Sequence, residues 1–341
     1  MRDSLPYEQG PIRPPSEAGS LLVRVNRNCP WNKCAFCPVY KGRKFSSRGV
    51  EEVLSDLDAM RRVYGSEVRF VFLQDANALL MRTGDLLKIV EGVRARFPAV
   101  ERITAYARSR TLARKSLVEL VSLRDAGLNR LHVGMESASD AVLKQQRKGT
   151  TGAEQIEAGQ KAKAAGFELS EYVMPGLGGR AFSEEHADET ARALVAIEPD
   201  FVRLRTTAVV PGTPLAALEA EGEFLPLGEM DMVAEIRRFL AGLAGASMRL
   251  ESDHMLNLLM ELKGDLPRDL AELLSICDRL LALPEDQRWR FVLARRMGWM
   301  GRLKDFEAGR LPVDLGRLWA QLEEQGLSPE EAAAQLRAQM V

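Results

Sequence analysis

Apolar residues recur along this chain in two alternating rhythms. Compact apolar runs rich in Val, Leu, Ile and Phe fall at 21–26, 68–74, 102–107, 130–136, 168–174 and 201–208. Runs of that length and composition predict buried strands. Between them apolar positions space out at three and four, predicting helices over 50–64, 86–97, 115–126, 153–165 and 184–197. Gly65, Gly127 and Gly166 follow three of these helices, where left-handed caps are expected. Strand and helix alternating through six strands predict a parallel α/β sheet with right-handed crossovers.

The pattern changes at both ends. Residues 1–19 are rich in Pro and Gly and read as irregular. After Gly228 a helix is expected over 232–241 and a short strand over 247–251; from 257 onward the sequence is helical and charged. Ser328, Pro329 and Glu331 supply the cap, first-turn proline and capping-box acid of a last helix. The expected organisation is an irregular segment at 1–19, the α/β body at 20–255 and a helical region at 256–341.

The 341 residues carry a net charge of −1, which gives no global basic field for wrapping nucleic acid. No apolar run approaches the roughly 20 residues of a membrane span. The opening Met1-Arg-Asp-Ser-Leu5 lacks a signal-peptide pattern, and with only four cysteines the expected compartment is the reducing cytoplasm. One local exception stands out: between Arg24 and Arg48 lie seven basic residues and no acidic one. That run is either a solvated face or a field that attracts an anionic substrate and tunes a redox centre.

Three of the four cysteines, Cys29, Cys34 and Cys37, fall within nine residues directly after the first predicted strand. Three thiolates are one short of a closed structural zinc site. They suit a cubane iron–sulfur cluster with one iron open to a small molecule. A zinc site completed by His132, His186 or His254 is the alternative, and a redox pair at Cys34 and Cys37 a lesser one. Pro30 and Pro38 restrict the loop, and Phe36 is placed to shield one side of a cluster. Cys277, in an apolar helical stretch over 273–283, reads as a buried inert thiol.

A cysteine tripod after a first strand, with an aromatic residue before its third member, resembles the radical S-adenosylmethionine (SAM) superfamily. The usual spacing there is C-x3-C-x2-C; here the first gap is one residue longer. The resemblance covers about 20–260 and implies a partial (β/α)6 TIM-like barrel with a helical C-terminal extension. It implies a [4Fe–4S] cluster on Cys29, Cys34 and Cys37, with SAM on the open iron. Reductive cleavage of SAM would give a 5′-deoxyadenosyl radical that takes a hydrogen from an unidentified, anionic substrate.

Beyond the loop, the chain resembles the oxygen-independent coproporphyrinogen oxidases and the elongator-type tRNA-modifying group. That resemblance implies that Gln74 and Asp75, at the place of a Gly-Gly-Glu-like motif, hold the amino group of SAM. It implies that Glu136 meets the ribose and Lys148 the carboxylate, where the family usually has Gln and Arg. Tyr172 is expected at the nucleoside, and Met174 and Gly176 in a backbone wall against the adenine. His254 and Tyr106 are candidates for substrate contact or proton relay. The implied partners are a small-molecule substrate and an electron donor such as flavodoxin or ferredoxin, with no membrane. A tRNA- or peptide-modifying relative stays open, as does a non-catalytic zinc or iron–sulfur protein. The sequence lacks a second cysteine group and an Asp-x-His-x-x-Gly run, which argues against twin-cluster, methylthiotransferase and cobalamin-dependent chemistry.

Overall fold

The computed structural model describes residues 5–340; residues 1–4, where the irregular segment and the signal-peptide reading begin, and Val341 lie outside the described residues. The strands are β1 (Leu21–Arg24), β2 (Phe70–Gln74), β3 (Arg102–Ala107), β4 (Leu128–Glu136), β5 (Glu168–Val173), β6 (Phe201–Leu204), β7 (Met248–Glu251) and β8 (Gly264–Leu266). They form one eight-stranded sheet in chain order. β1–β2, β2–β3, β3–β4 and β6–β7 pair in parallel, and β8 is antiparallel to β7. This is the expected α/β class, mostly parallel, with a helical C-terminal region. The strand at Gly264–Leu266 lies beyond residue 255, where only helices were expected.

The helices used below are α1 (Val50–Tyr64), α2 (Thr83–Arg96), α3 (Ser109–Arg114), α4 (Leu117–Ala126), α5 (Asp140–Gln145), α6 (Gly152–Ala164), α7 (Gly179–Ile197), α8 (Pro214–Ala220), α9 (Glu229–Ala241), α10 (Leu270–Ala282) and α11 (Glu285–Arg296). Among the described residues no helix is long and apolar enough to cross a membrane. The chain divides into two compact units. One holds the residues up to Met135 with Gly149–Glu171; the other holds Glu136–Lys148 and the residues from Tyr172 on.

In the first unit, consecutive strand residues such as Val71, Phe72 and Leu73 are all fully buried. That explains why these strands read as continuous apolar runs. α1 sets Val53, Leu57 and Met60 inward and packs on α2. The helix expected over 115–126 is preceded by a separate one-and-a-half-turn helix, α3. The break falls at Ser116, whose Oγ accepts the Glu119 N–H while Glu119 returns to the Ser116 N–H, a capping box that starts α4.

In the second unit, β6 stops at Leu204 instead of running to 208. The Thr206 N–H is taken by Asn257 Oδ1 at 2.8 Å, so the backbone leaves the ladder. α7 begins at Gly179, before the expected 184, and is kinked at Phe182. The helical C-terminal region is tied in by a buried pair, Arg296 with Glu229 at 2.7 Å, and by Arg295 donating to the carbonyls of Asn257 and Leu258. Cys277 in α10 is fully buried, and burial pushes its thiol up to about 12, as an inert thiol requires.

Candidate functional site

The loop that carries the three cysteines leaves β1 and is pinched at its base by a two-residue antiparallel ribbon, Asn26–Arg27 against Ser46–Ser47. Inside it Asn28 and Asn32 adopt positive φ (68° and 46°), which Asn tolerates better than most residues. Asn32 Nδ2 donates to the Tyr40 carbonyl at 2.6 Å, and Lys41 Nζ donates to the carbonyls of Asn32 and Cys34. The Asn32 N–H points at Cys29 Sγ, 3.4 Å away. Cys29, Cys34 and Cys37 are all half-buried and free of disulfides, and Phe36 beside them is half-buried.

Asp75 braces this loop. Its carboxylate accepts from Arg24 Nε (2.6 Å), the Asn28 N–H (2.9 Å) and the Tyr40 hydroxyl (3.1 Å). One buried side chain thus ties the strand before the loop to the loop's entry and exit. Gln74 is engaged by the N-terminal segment: its Oε1 accepts the Gly10 N–H and its Nε2 donates to the Ile12 carbonyl, both at 2.8 Å. Asn77 Nδ2 donates to Thr111 Oγ1, and its Oδ1 accepts the Arg108 N–H. The polar end of β2, expected to grip the cofactor through Gln74 and Asp75, therefore has its side chains committed to holding neighbouring loops.

The N-terminal segment, read as irregular, is pinned in place by its acids. Glu8 receives Nη1 of Arg24 and the Nε and Nη2 of Arg27 at 2.7–2.9 Å. Burial pushes the Glu8 carboxyl up, but Arg27, Arg48 and Arg24 outweigh it and hold the group below its ordinary value. Further on, the wholly buried Glu17 meets His132 Nε2 at 3.0 Å and the Ser20 hydroxyl at 2.5 Å. Arg48 pairs with Asp56 at 2.7 Å and with Glu52, and Arg27 also reaches Glu52. Three of the seven clustered basic residues are thus neutralised by acids that lie outside the run, while Lys33, Arg43 and Lys44 stay exposed.

The second unit holds the other candidates. Glu136 ends β4 with φ of 67°, a costly conformation for a glutamate. Its Oε1 is 3.2 Å from Lys148 Nζ, so the two side chains expected to serve ribose and carboxylate pair with each other. Met174 donates its N–H to the Glu136 carbonyl, and its own carbonyl accepts from His186 Nε2. Ser137 Oγ lies 2.8 Å from His186 Nδ1. Burial pushes His186 down to about 4, so the ring is neutral at pH 7. Gly176 has φ of 82°, and a Cβ there would stand 2.4 Å from Met232 Cε. Its N–H donates to Glu235 Oε1 at 2.6 Å, and Ser183 donates to the other oxygen. Burial pushes the Glu235 carboxyl up to about 7. Tyr172 is half-buried on β5.

His254 and Tyr106 fare differently. His254 Nδ1 accepts the Leu256 N–H, and burial with repulsion from Arg205 pushes the ring down to about 4. It is neutral at pH 7 and poorly matched to a proton relay there. Tyr106 stacks edge-on against Phe72 at 4.8 Å and lies beside His132, in an aromatic group in the body of the sheet. Ser137, Tyr40, Glu8 and Glu235 are functional-looking positions that the sequence reading missed, and His186 entered it only as a possible fourth zinc ligand. Only Glu235, an acid inside the apolar pattern of α9, left a signal.

The donor set fits an iron–sulfur cluster: three reduced, half-exposed thiols on a braced loop, with an amide N–H on one sulfur. Among the described residues no three His, Cys, Asp or Glu side chains converge on one metal ion. A cubane takes one thiolate per iron and asks for no such convergence. The radical SAM superfamily profile matches residues 23–194, about half of the sequence. The chain belongs to the radical SAM superfamily, whose members use a [4Fe–4S] cluster and SAM. It is 26% identical over 200 residues to the uncharacterized methyltransferase PH0819 of Pyrococcus horikoshii, covering 57% of this chain and 40% of that protein. It is 29% identical over 207 residues to the heme chaperone HemW of Escherichia coli, covering 57% and 52%. The chain thus spans about half or less of these relatives' lengths. Among solved structures, the cobalamin-dependent SAM radical enzyme OxsB with aqua-cobalamin bound shares the fold at a TM-score of 0.51 and 14% identity, over 94% of this chain and 54% of OxsB.

Proposed function

We propose that this chain is a radical SAM enzyme with one [4Fe–4S] cluster, acting in the cytoplasm on a small anionic substrate. The observation that carries the reading is the cysteine tripod braced by Asp75. When bound, the cluster supplies an electron to the sulfonium of SAM, and SAM supplies the radical that takes a substrate hydrogen. The rest falls to the protein. Cys29, Cys34 and Cys37 hold the cluster, and Asp75, Arg24 and Tyr40 keep their loop in one conformation. Phe36 screens the cluster from water. Glu136 accepts from ribose hydroxyls and Lys148 pairs with a carboxylate, exchanging their mutual contact for two to the cofactor. The turn at Met174 and Gly176, held by Glu235 and His186, offers backbone to the adenine face, and Tyr172 meets the nucleoside. The electron comes from a flavodoxin- or ferredoxin-type donor.

The test is anaerobic incubation of reconstituted protein, reductant and SAM with a metabolite extract from deuterated cells. Deuterium in the 5′-deoxyadenosine formed is the expected result. Unlabelled product would mean uncoupled cleavage and point to a substrate missing from the extract or to a macromolecule. Absence of any product, with the cluster confirmed by iron and sulfide content, would defeat the reading.

A further inference from the structure

Beside the cysteine loop, within the first unit, lies a cleft of about 530 Å³. Trp31, between the first two cysteines, forms one side, and the charged part of the lining is Arg108, Arg110, Arg114 and Lys115 against a single acid, Glu119. Trp31 is pinned: Gly149 lies so close that a Cβ there would stand 2.3 Å from the indole Cζ2. The Arg108 guanidinium sits 5.3 Å from the indole centroid and Lys33 Nζ 5.1 Å from it. Arg108 also feels the charge of Cys34 and Cys29, which places this wall of the cleft next to the cluster ligands.

The positive charges here differ in how they are spent. Lys115 is used, with Thr83 Oγ1 at 2.8 Å and Glu119 at 3.8 Å. Arg110 donates one N–H to the Gly149 carbonyl, and no acid answers it among the described residues. Arg114 is exposed and likewise has no acidic partner among them. This contrasts with Arg24, Arg27 and Arg48, each neutralised by a carboxylate. A concave site with two unmatched guanidinium forks and a fixed aromatic wall suits an anion attached to a flat or apolar body. Its volume is that of a small-molecule pocket, not of a nucleic-acid groove.

We infer that this cleft binds the phosphate end of a phosphorylated small-molecule substrate, with Arg110 and Arg114 as the anion ligands and Trp31 as the wall for the body of the molecule. The inference deepens the proposed function, on whose radical chemistry its relevance to turnover rests; the anion site itself stands or falls separately. Neither arginine is placed in the cofactor machinery, so both can be changed without touching the cluster.

The full chain with its cluster reconstituted is titrated calorimetrically with inorganic phosphate and inorganic pyrophosphate, with and without saturating SAM. Pyrophosphate is expected to bind, more weakly as salt rises. Arg114→Ala should weaken it about tenfold and the Arg110→Ala, Arg114→Ala pair about a hundredfold, as loss of one and two charge-assisted contacts implies. Arg114→Lys should restore part of the loss, while iron content and SAM affinity stay at wild-type values. Pyrophosphate affinity indifferent to both arginines overturns the site. Stoichiometric displacement of pyrophosphate by SAM also overturns it, because the cleft would then belong to the cofactor. Arginine-dependent binding of single-stranded RNA with no binding of either phosphate does the same in favour of a nucleic acid. Anion binding without any 5′-deoxyadenosine formation would sink the proposed function and leave the site; cleavage without anion binding would do the reverse.

Discussion

Arg24 Nε lies 2.6 Å from Asp75 Oδ2, and the Asp75 side chain is wholly buried. The same carboxylate takes the Asn28 N–H and the Tyr40 hydroxyl, so the loop's two ends converge on one residue. Asp75→Asn keeps the volume but leaves Arg24 facing a neutral amide. Breaking a buried pair from one side costs about 3 kcal/mol or more. The expected outcome is a lower urea midpoint together with loss of iron on gel filtration. Wild-type iron retention in a destabilised Asp75→Asn protein would separate the brace from the cluster.

Glu136 offers a test of strain against function. A left-handed glutamate costs about 1–2 kcal/mol that glycine does not. The Lys148 contact it makes in return is mostly buried, with the Glu136 and Lys148 side chains 15% and 10% exposed, so removing one partner costs more than it would at the surface. Glu136→Gly trades backbone strain for an unpaired lysine and should lower thermal stability only slightly, while the folded protein binds SAM at least tenfold more weakly. A large loss of stability with SAM affinity unchanged in the folded protein would mean that Glu136 is a packing residue.

Gly149 and Trp31 are coupled by contact. Alanine at 149 meets the indole at 2.3 Å and also strains a backbone at φ of 72°. The expected cost is about 2 kcal/mol, part strain and part clash. A smaller ring, Trp31→Phe, should relieve the clash, so the double variant should be more stable than the sum of the two singles predicts. Strict additivity in urea midpoints would show that the two residues do not constrain each other.

How much of this was legible beforehand follows from which interactions are local. The six strands, the helices between them and the cysteine loop depend on apolar period and short motifs, and they stand close to where the sequence puts them, apart from the early end of β6, the early start of α7 and the additional helix α3. Of the three helix-following glycines, Gly127 makes the expected left-handed cap and Gly166 has a positive φ, whereas Gly65, with φ of 75° and ψ of −164°, lies outside the left-handed helical region. What the sequence did not reveal is long-range pairing. Glu8 and Glu17 lie in a Pro/Gly-rich segment that looks loose, yet they close on Arg24, Arg27 and His132 far along the chain. The basic run at 24–48 left a solvated face and an attracting field both open because its counter-charges are 16 to 51 positions away or just outside the window, at Glu8, Glu52, Asp56 and Asp75. Gln74 and Asp75 were legible as a polar strand end, but not their partners. The break at Ser116 was local and legible, since Ser-x-x-Glu is a capping box, and a single apolar period over 115–126 hid it.

The pH dependence of the second unit turns on Glu235 and His186, whose nearest ring nitrogen and carboxylate oxygen are 3.7 Å apart. Burial raises Glu235 from 4.5 to about 7 and lowers His186 from 6.5 to about 4. Between pH 4.5 and 7 the folded protein holds a proton on Glu235 that the unfolded chain has released, so this group's stabilisation is full below 4.5 and is lost as pH rises toward 7. His186 acts oppositely: the unfolded chain takes up its proton below 6.5 and the buried ring does not, so stability rises with pH between about 4 and 6.5. Over most of the shared window the two slopes oppose each other. Glu235→Gln removes one of them. Apart from a constant offset for altered hydrogen bonds to Gly176 and Ser183, the variant should gain on wild type as pH climbs from 4.5 to 7 and level off above. The gain should approach roughly 3 kcal/mol, the upper bound set by the raised carboxyl. Urea unfolding at pH 5, 6, 7 and 8 reads the difference directly. A difference that does not change with pH would mean that Glu235 titrates normally, and that the turn at Gly176 is held by an ordinary carboxylate.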